Sequence, residues 1–170
     1  MNDHVNNPSL RLRPVFAASF LFVAVNAGVF LFLGIGIVPY WESLTGEELQ
    51  TWFADHFGRF SWMMIPVHLL AISTTITAFV LARRHDGGST ATWWIALVGL
   101  LSSQAFNFTI FGNVLNPDLS SQTLDPAEAL DTLDTWRTLH WIRTALVLAS
   151  AAAFVRLVAT RAADGQTVST

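Results

Sequence analysis

The chain has 170 residues, of which 52% are hydrophobic and only 12% are charged; soluble domains carry about 25% charged residues, so a soluble domain is excluded. The net charge of −3 and the lack of a basic run exclude nucleic acid as a partner. Neither cysteine nor lysine occurs, which excludes disulfides, thiol catalysis, zinc–thiolate sites and Schiff-base chemistry.

The chain contains four apolar runs, each about as long as the roughly 20 residues that cross a bilayer. The predicted spans cover residues 14–38, 60–82, 92–112 and 137–160. We predict an all-α membrane protein whose single domain, residues 14–160, is a four-transmembrane-helix bundle. A polar tail (residues 1–13) precedes this domain, and a tail of small polar residues (161–170) that we expect to be disordered follows it.

Arginines near the ends of the spans predict how the bundle is oriented. The flanks at one membrane face have only Arg59 and Arg137, whereas those at the other face have Arg11, Arg13, Arg83, Arg84, Arg156 and Arg161. Because short cytoplasmic flanks are enriched in positive charge, both termini are predicted to be cytoplasmic and the two longer loops extracytoplasmic. We therefore expect a multi-pass protein of the cell (inner) membrane, surrounded by the lipid bilayer.

The first span combines glycines with one amide side chain. Gly28, Gly34 and Gly36 are expected to allow close helix contacts, within the bundle or in a homodimer. Asn26, near the middle of the span, has two interpretations. It forms a hydrogen bond between helices, which is the commoner role of asparagine in membranes, or it belongs to a site.

The stretch from residue 39 to residue 58 is acidic and aromatic, which predicts that it lies outside the hydrocarbon. Within it, residues 46–53 are predicted to form a short helix on the membrane face that acts as a lid. In the second span, Ser61, His68 and Thr75 repeat at intervals of seven residues. This spacing predicts a polar stripe that faces the neighbouring helices.

The third span is the most polar of the four. Ser103, Asn107 and Phe111 share one helical face, so this helix is predicted to be buried among the others. After it, residues 113–135 form the second outer loop, in which Asp125 and the proline that follows it are typical of a helix start. The last helix is therefore predicted to begin before the fourth span does.

Trp136, His140 and Arg143 open the fourth span at intervals of four and three residues, so they line one face of the helix. An ionisable side chain at membrane depth costs about 3 kcal/mol unless it faces the bundle interior or a wet cavity, which makes such residues candidates for function. The alternative is that the histidine and the arginine extend to the lipid headgroups, as their tryptophan neighbours would permit.

The order of these motifs resembles the DUF1772 family, also called anthrone oxygenase-like. Its members have four membrane helices, a threonine-rich end of the third helix that leads to an asparagine before a leucine, and W-x-x-x-H-x-x-R at the start of the fourth helix. The matching residues here are Thr109, Asn116, Leu119, Trp136, His140 and Arg143. The family usually has a proline two residues before the asparagine, where this chain has Val114, so either Asn113 or Asn116 corresponds to the family position.

The resemblance implies a membrane oxygenase or oxidase that acts with dioxygen on a polyketide-type anthrone or another small, apolar, reduced aromatic substrate. The carbanion of an activated CH₂ group can react with dioxygen without a metal or cofactor, so the site needs a base, an oxyanion partner and an apolar slot. We expect His140 to be the base, with His68 as the second candidate, and Arg143 to be the oxyanion partner. The expected substrate-binding residues are Asn107, Asn113, Asn116, Phe111, Trp136 and Trp141.

The residues also allow two other functions. In a membrane redox protein, copper, iron or haem would be ligated by residues from the set His68, His140, Glu42 and His56. In a non-enzymatic membrane subunit or hydrophobic-ligand binder, Arg143 and the nearby histidine would instead pair with an acidic group such as Asp134 or Glu42. Substitution of these residues would then reduce stability rather than turnover.

Overall fold

A computed structural model describes residues 8–85 and 91–167, with side chains placed over residues 14–84 and 91–160. The α-helices in these ranges are α1 (Pro8–Phe32), α2 (Val38–Glu42), α3 (Gly46–Trp52), α4 (Gly58–His85), α5 (Ala91–Phe106), α6 (Asn116–Ser120) and α7 (Pro126–Thr167). The described residues contain no strand. The predicted all-α fold is confirmed.

Three π-helical segments join these helices into longer rods. They are Leu33–Ile37 between α1 and α2, Phe53–Phe57 between α3 and α4, and Asn107–Leu115 between α5 and α6. Four rods in the described ranges are then long and apolar enough to cross a membrane: Pro14–Glu42, Gly46–Arg84, Ala91–Ser120 and Pro126–Thr160. The chain is therefore a multi-pass membrane protein with four spanning helices, as predicted.

The first three rods are longer than the predicted spans because the π-helical segments connect the spans to the short helices α2, α3 and α6 without breaking the helix. The fourth rod is longer because α7 begins at Pro126. The predicted lid helix exists as α3, but it continues through Phe53–Phe57 into α4 and forms the first turns of the second rod. Residues 113–120, predicted as loop, are helical. The last helix continues to Thr167, past residue 160, and the disorder of the tail stays a prediction.

The predicted start of the last helix is confirmed by its capping contacts. The backbone N–H of Ala127 donates to Asp125 Oδ1 at 2.9 Å, and the N–H of Asp125 donates to Glu128 Oε2 at 3.3 Å. These reciprocal bonds satisfy two N–H groups that have no partner inside the helix. They place the beginning of α7 ten residues before Trp136.

Helices α5 and α7 approach each other with little side chain between their backbones. A Cβ atom at Gly99 would lie 2.8 Å from the carbonyl oxygen of Leu146. Ser150 Oγ donates to the carbonyl of Ala96 at 2.6 Å, and Ser103 Oγ donates to the carbonyl of Arg143 at 3.0 Å. Small residues with interhelical hydrogen bonds are how membrane helices pack closely. The contact fixes the position of α7 along its axis relative to the third rod.

A side-chain amide joins α3 to the segment that precedes α7. Gln50, which is buried, donates through Nε2 to the carbonyl of Leu124 at 3.1 Å and accepts from the N–H of the same residue at 3.1 Å. Nearby, Gly46 lies against the backbone of Pro126 so closely that no Cβ atom would fit. The start of the second rod is therefore tied to the start of the fourth.

Candidate functional site

A cavity of about 140 Å³ lies between the rods. Its polar lining consists of Ser61, His68, Asn107, Asn116, Trp136 and Arg143. Aliphatic and aromatic side chains make up the remaining wall, among them Phe30, Phe57, Phe60 and Met64. All three π-helical segments contribute to the lining. The site therefore draws on all four rods.

Arg143 occupies a cage of aromatic rings at the cavity wall. Its side chain is 3% exposed, and its guanidinium carbon lies 3.5 Å from the ring centre of Phe111, 4.7 Å from that of Phe30 and 5.1 Å from that of Trp136. Nη1 donates to Asn107 Oδ1 at 2.7 Å. The rings and the amide hold the cation in one position.

The charge of Arg143 has no carboxylate partner in the described part of the chain. The two acidic side chains proposed as its partners, Asp134 and Glu42, both bind Arg137 instead, Glu42 at 2.6 Å. That pairing of Arg143 is therefore wrong, because an exposed arginine three residues after Asp134 is closer to both carboxylates. A buried and uncompensated cation beside a cavity favours an anionic ligand there.

His140 is completely buried and both of its ring nitrogens form hydrogen bonds. Nε2 lies 2.9 Å from the carbonyl oxygen of Phe30, which can only accept, so Nε2 carries the proton. Nδ1 accepts from Arg143 Nη2 at 2.9 Å. The ring stacks on Trp136 with 4.8 Å between centres, behind the cavity wall rather than in it. This arrangement supports the guanidinium and leaves no ring nitrogen for a substrate.

His68 lines the cavity directly. It is 3% exposed, and its Nδ1 lies 2.5 Å from Oδ1 of Asn26 on α1. Its Nε2 forms no hydrogen bond with any residue that the structure describes. Of the two histidines predicted as bases, the one in the second rod is therefore the one with a free ring nitrogen at the cavity.

The structure separates the two asparagines that both matched the family pattern. Asn116 lines the cavity, and its Oδ1 accepts from Trp136 Nε1 at 2.9 Å. Asn113 is exposed, and its side chain donates to the carbonyl of Phe108 in its own helix at 2.8 Å. The π-helical register of this segment therefore brings Asn116 to the cavity and leaves Asn113 outside.

Two aromatic residues predicted to cover the substrate lie elsewhere. Phe111 is fully buried under the guanidinium of Arg143 and takes no part in the cavity lining. Trp141 is 41% exposed, and its ring lies edge-on to His140 with 5.8 Å between ring centres. Neither ring forms part of the cavity lining.

The four candidate metal ligands do not come together. Glu42 binds Arg137, and His56 is exposed and stacks on Trp52 with 5.3 Å between ring centres. His68 and His140 each use ring nitrogens in the hydrogen bonds described above. Over residues 14–84 and 91–160, no group of three or more His, Cys, Asp or Glu side chains is arranged to hold a metal ion.

Asn26 forms the hydrogen bond between helices that was its first interpretation, and its partner is His68 in the cavity wall. Gln104, which was not among the expected site residues, adds a second amide. Gln104, which is 2% exposed, donates through Nε2 to Asn26 Oδ1 at 3.4 Å. The signal for both residues in the sequence is an amide within an apolar span, which predicts a hydrogen-bond partner on another helix.

A family model described as anthrone oxygenase matches residues 53–153, which is more than half of the chain. The matched part contains His68, Asn107, Asn116, His140 and Arg143. No curated protein and no solved structure matches the chain.

Proposed function

Because the chain belongs to the anthrone oxygenase family, we propose that it is a membrane oxygenase that uses dioxygen to convert an activated CH₂ group of a reduced aromatic compound into a carbonyl. The observation that carries the proposal is the buried cation of Arg143, which faces the same cavity as His68 and has no carboxylate partner among the described residues. This pair supplies the two groups that carbanion formation needs.

Arg143 stabilises the charge that develops on the substrate. Removing a proton from a CH₂ group next to a carbonyl moves negative charge onto the carbonyl oxygen, giving an enolate. A guanidinium already fixed by Asn107 and His140 needs no reorganisation when this charge appears. In a water-poor cavity the attraction is also stronger than it would be in solution.

His68 removes the proton. Its Nε2 takes one C–H proton, and the electron pair of that bond passes into the enolate. Electron transfer to dioxygen followed by combination of the two radicals forms the C–O bond, and the resulting peroxide takes back the proton from the imidazolium. Histidine suits both transfers because it can hold or release a proton near neutral pH.

Loss of water completes the reaction. His68 removes the second C–H proton, the C=O bond forms as the O–O bond breaks, and the departing hydroxide takes that proton. The balance is R₂CH₂ + O₂ → R₂C=O + H₂O. The substrate and dioxygen supply every atom and electron, so the reaction as written consumes no external reductant.

The remaining lining residues bind and orient the substrate. Phe30, Phe57 and Phe60 provide apolar faces against which aromatic rings pack. Asn107 and Asn116 are the polar groups at the wall that would meet a carbonyl or phenol oxygen. His140 acts as a positioning residue, since it holds Arg143 rather than touching the cavity.

The test is oxygen consumption by the detergent-purified protein with anthrone, together with formation of the quinone. One dioxygen should be consumed for each quinone formed. His68→Gln is expected to lower the rate by about 10²- to 10⁴-fold, the usual contribution of a general base. Arg143→Gln is expected to lower it by about 10²- to 10³-fold, as for other fixed oxyanion partners. His140→Ala should reduce turnover less than either.

Two exposed residues provide matched controls. His56→Gln and Arg137→Gln change a histidine and an arginine that lie outside the cavity, and both should leave the rate unchanged. Wild-type rates in both His68→Gln and Arg143→Gln would refute the assignment. An absorption spectrum and metal analysis of the same preparation determine whether activity depends on a bound metal or haem.

A further inference from the structure

We propose that Asn26 is a positioning residue that holds His68 in the tautomer with its proton on Nδ1, and that Gln104 helps to hold Asn26. The inference rests on the proposed role of His68 as the base. It assigns a function to α1, in which no polar side chain among the described residues 14–32 lines the cavity.

The orientation of the Asn26 side chain follows from its neighbours. Nδ2 lies 3.0 Å from the carbonyl oxygen of Phe22, one turn earlier in α1. A carbonyl can only accept a hydrogen bond, so the NH₂ group must face it and Oδ1 must point the other way. A flipped amide would bring two oxygens together. Asn26 therefore presents an acceptor to α4.

That acceptor determines which nitrogen of His68 carries the proton. Oδ1 of Asn26 lies 2.5 Å from Nδ1, so Nδ1 must be the donor. In a neutral imidazole the other nitrogen, Nε2, then holds the lone pair. This nitrogen is the one without a hydrogen bond in the described part of the chain. The orientation is the one that a base needs at the cavity.

Gln104 adds a second donor to the same oxygen. Gln104 lies on α5, and its Nε2 is 3.4 Å from Oδ1 of Asn26 on α1. Its own Oε1 is buried and has no hydrogen-bond partner among the described residues. Among the described residues, Asn26 is therefore the one hydrogen-bond partner of the Gln104 side chain. Residues from three rods thus form the hydrogen-bond chain that determines which nitrogen of His68 carries the proton.

The consequence of losing Asn26 is a change of tautomer. Without an acceptor opposite Nδ1, the proton of His68 is free to occupy Nε2, and the nitrogen at the cavity becomes a donor instead of an acceptor. Removing the group that fixes a catalytic histidine tautomer lowers kcat by as much as about 10⁴-fold in the serine proteases, although the other groups stay in place.

The test reads the tautomer directly, without turnover. The full-length protein is labelled with ¹⁵N-histidine in detergent micelles, and long-range ¹H–¹⁵N spectra are recorded; His68→Gln identifies the signals of that ring. In the wild type, Nδ1 should be protonated and Nε2 should not. Asn26→Leu should move the proton of His68 to Nε2 or give a mixture. Asn26→Asp, which keeps an acceptor opposite Nδ1, should keep the proton on Nδ1.

Ser19→Ala is the matched control. Ser19 is a buried polar residue of the same helix, but among the described residues its side chain bonds only the carbonyl of Val15, at 2.8 Å. Its loss should leave the His68 signals unchanged. A neutral ring with its proton wholly on Nδ1 in Asn26→Leu, or a ring without a proton on Nδ1 in Asn26→Asp, overturns the inference. If Asn26→Leu does not fold, the wild type and Asn26→Asp still decide it.

Kinetics separate this inference from the proposed function. Asn26→Leu should lower kcat by at least about tenfold with little change in KM, because the substitution affects the base and leaves the substrate contacts in place. A protein that oxidises no anthrone but shows the expected tautomers would disprove the proposed function and leave the role of Asn26 intact. A protein that oxidises anthrone, but in which Asn26→Leu leaves the His68 tautomer unchanged, would support the proposed function and disprove the role of Asn26.

Discussion

Arg143 is the residue whose surroundings are hardest to explain as packing. A buried arginine is normally paired with a carboxylate, and this one is surrounded by three aromatic rings, a histidine and an amide. Cation–π contacts offset part of the loss of hydration but leave the net charge in place. The charge is therefore available to a ligand, and hydrogen bonds with His140 and Asn107 fix the orientation of the guanidinium.

The two asparagines of the third rod offer a direct test at this scale. Asn116→Leu removes a polar cavity group and the acceptor of Trp136 Nε1, so we expect the rate of anthrone oxidation to fall at least about tenfold, from the loss of a positioning hydrogen bond. Asn113→Leu removes only a contact within its own helix and should have little effect. Steady-state rates of both variants decide which asparagine belongs to the site; a larger loss in Asn113→Leu would contradict the assignment.

At the scale of elements, the π-helical segments shape the site. π-helical turns are rare and are frequently found at functional sites. Here each of the three contributes to the cavity lining: Leu33 from the first, Phe57 from the second, and Asn107 with Phe108 and Gly112 from the third. Each segment shifts the residues after it relative to an α-helical register. That shift brings Asn107 and Asn116 to the same cavity.

A glycine in the first π-helical segment is predicted to be necessary for the site. A Cβ atom at Gly34 would lie 2.9 Å from the ring of Trp141 and 3.1 Å from Nε2 of His140. Gly34→Ala should therefore push α7 away, move His140 and loosen Arg143, with a loss of activity and a lower melting temperature.

Gly28 provides the control for this substitution. A Cβ atom there would meet nothing within 4 Å, although the residue lies in the same rod. Gly28→Ala should leave activity unchanged and should raise helix stability slightly, because alanine is the better helix former. Equal effects of the two substitutions on the melting temperature would show that α7 is not in contact at Gly34.

At the scale of the whole molecule, the cavity between the four rods is smaller than a typical ligand pocket. Its cavity measures about 140 Å³, whereas drug-sized ligands occupy pockets of about 300–1,000 Å³. An engineered cavity of about 150 Å³ holds benzene. A substrate with three fused rings therefore requires the apolar wall, which includes Phe57, Phe60 and Met64, to move outward.

Enlarging the cavity should favour the larger substrate. Met64 is buried and lines the cavity, so Met64→Ala should lower KM for anthrone by about tenfold, since the substrate no longer has to displace this side chain. Met63, the preceding residue, is 70% exposed on the outside of the rod, and Met63→Ala is the matched control. An unchanged KM in Met64→Ala would mean that another part of the wall limits substrate size.

The orientation of the bundle in the membrane stays a prediction from the arginine distribution, and the lack of cysteine makes it easy to test. Single cysteines introduced as Ser121→Cys and Ser89→Cys provide the only thiols of each variant. In intact cells an impermeant thiol reagent should label Ser121→Cys and should label Ser89→Cys only after lysis. The reverse pattern would invert the proposed topology.

Much of this architecture could be predicted because its signals are local. The length and apolarity of the four spans, the cap at Asp125 and the seven-residue repeat around His68 depend on residues within a few turns of one another. The motif at Trp136, His140 and Arg143, together with the order of the helices and motifs before it, likewise indicated a family and a candidate site.

Only the tertiary structure decided which of these residues line the cavity and which hydrogen-bond partners they have. The partner of His68 is 42 residues away in another helix, and the position of His140 behind Arg143 depends on the carbonyl of Phe30, 110 residues away. The π-helical register that selects Asn116 over Asn113 leaves no mark in the hydrophobic pattern. Helix formation is governed by near neighbours, whereas the tautomers and charges of a buried site are set by whichever distant groups packing brings within hydrogen-bond reach.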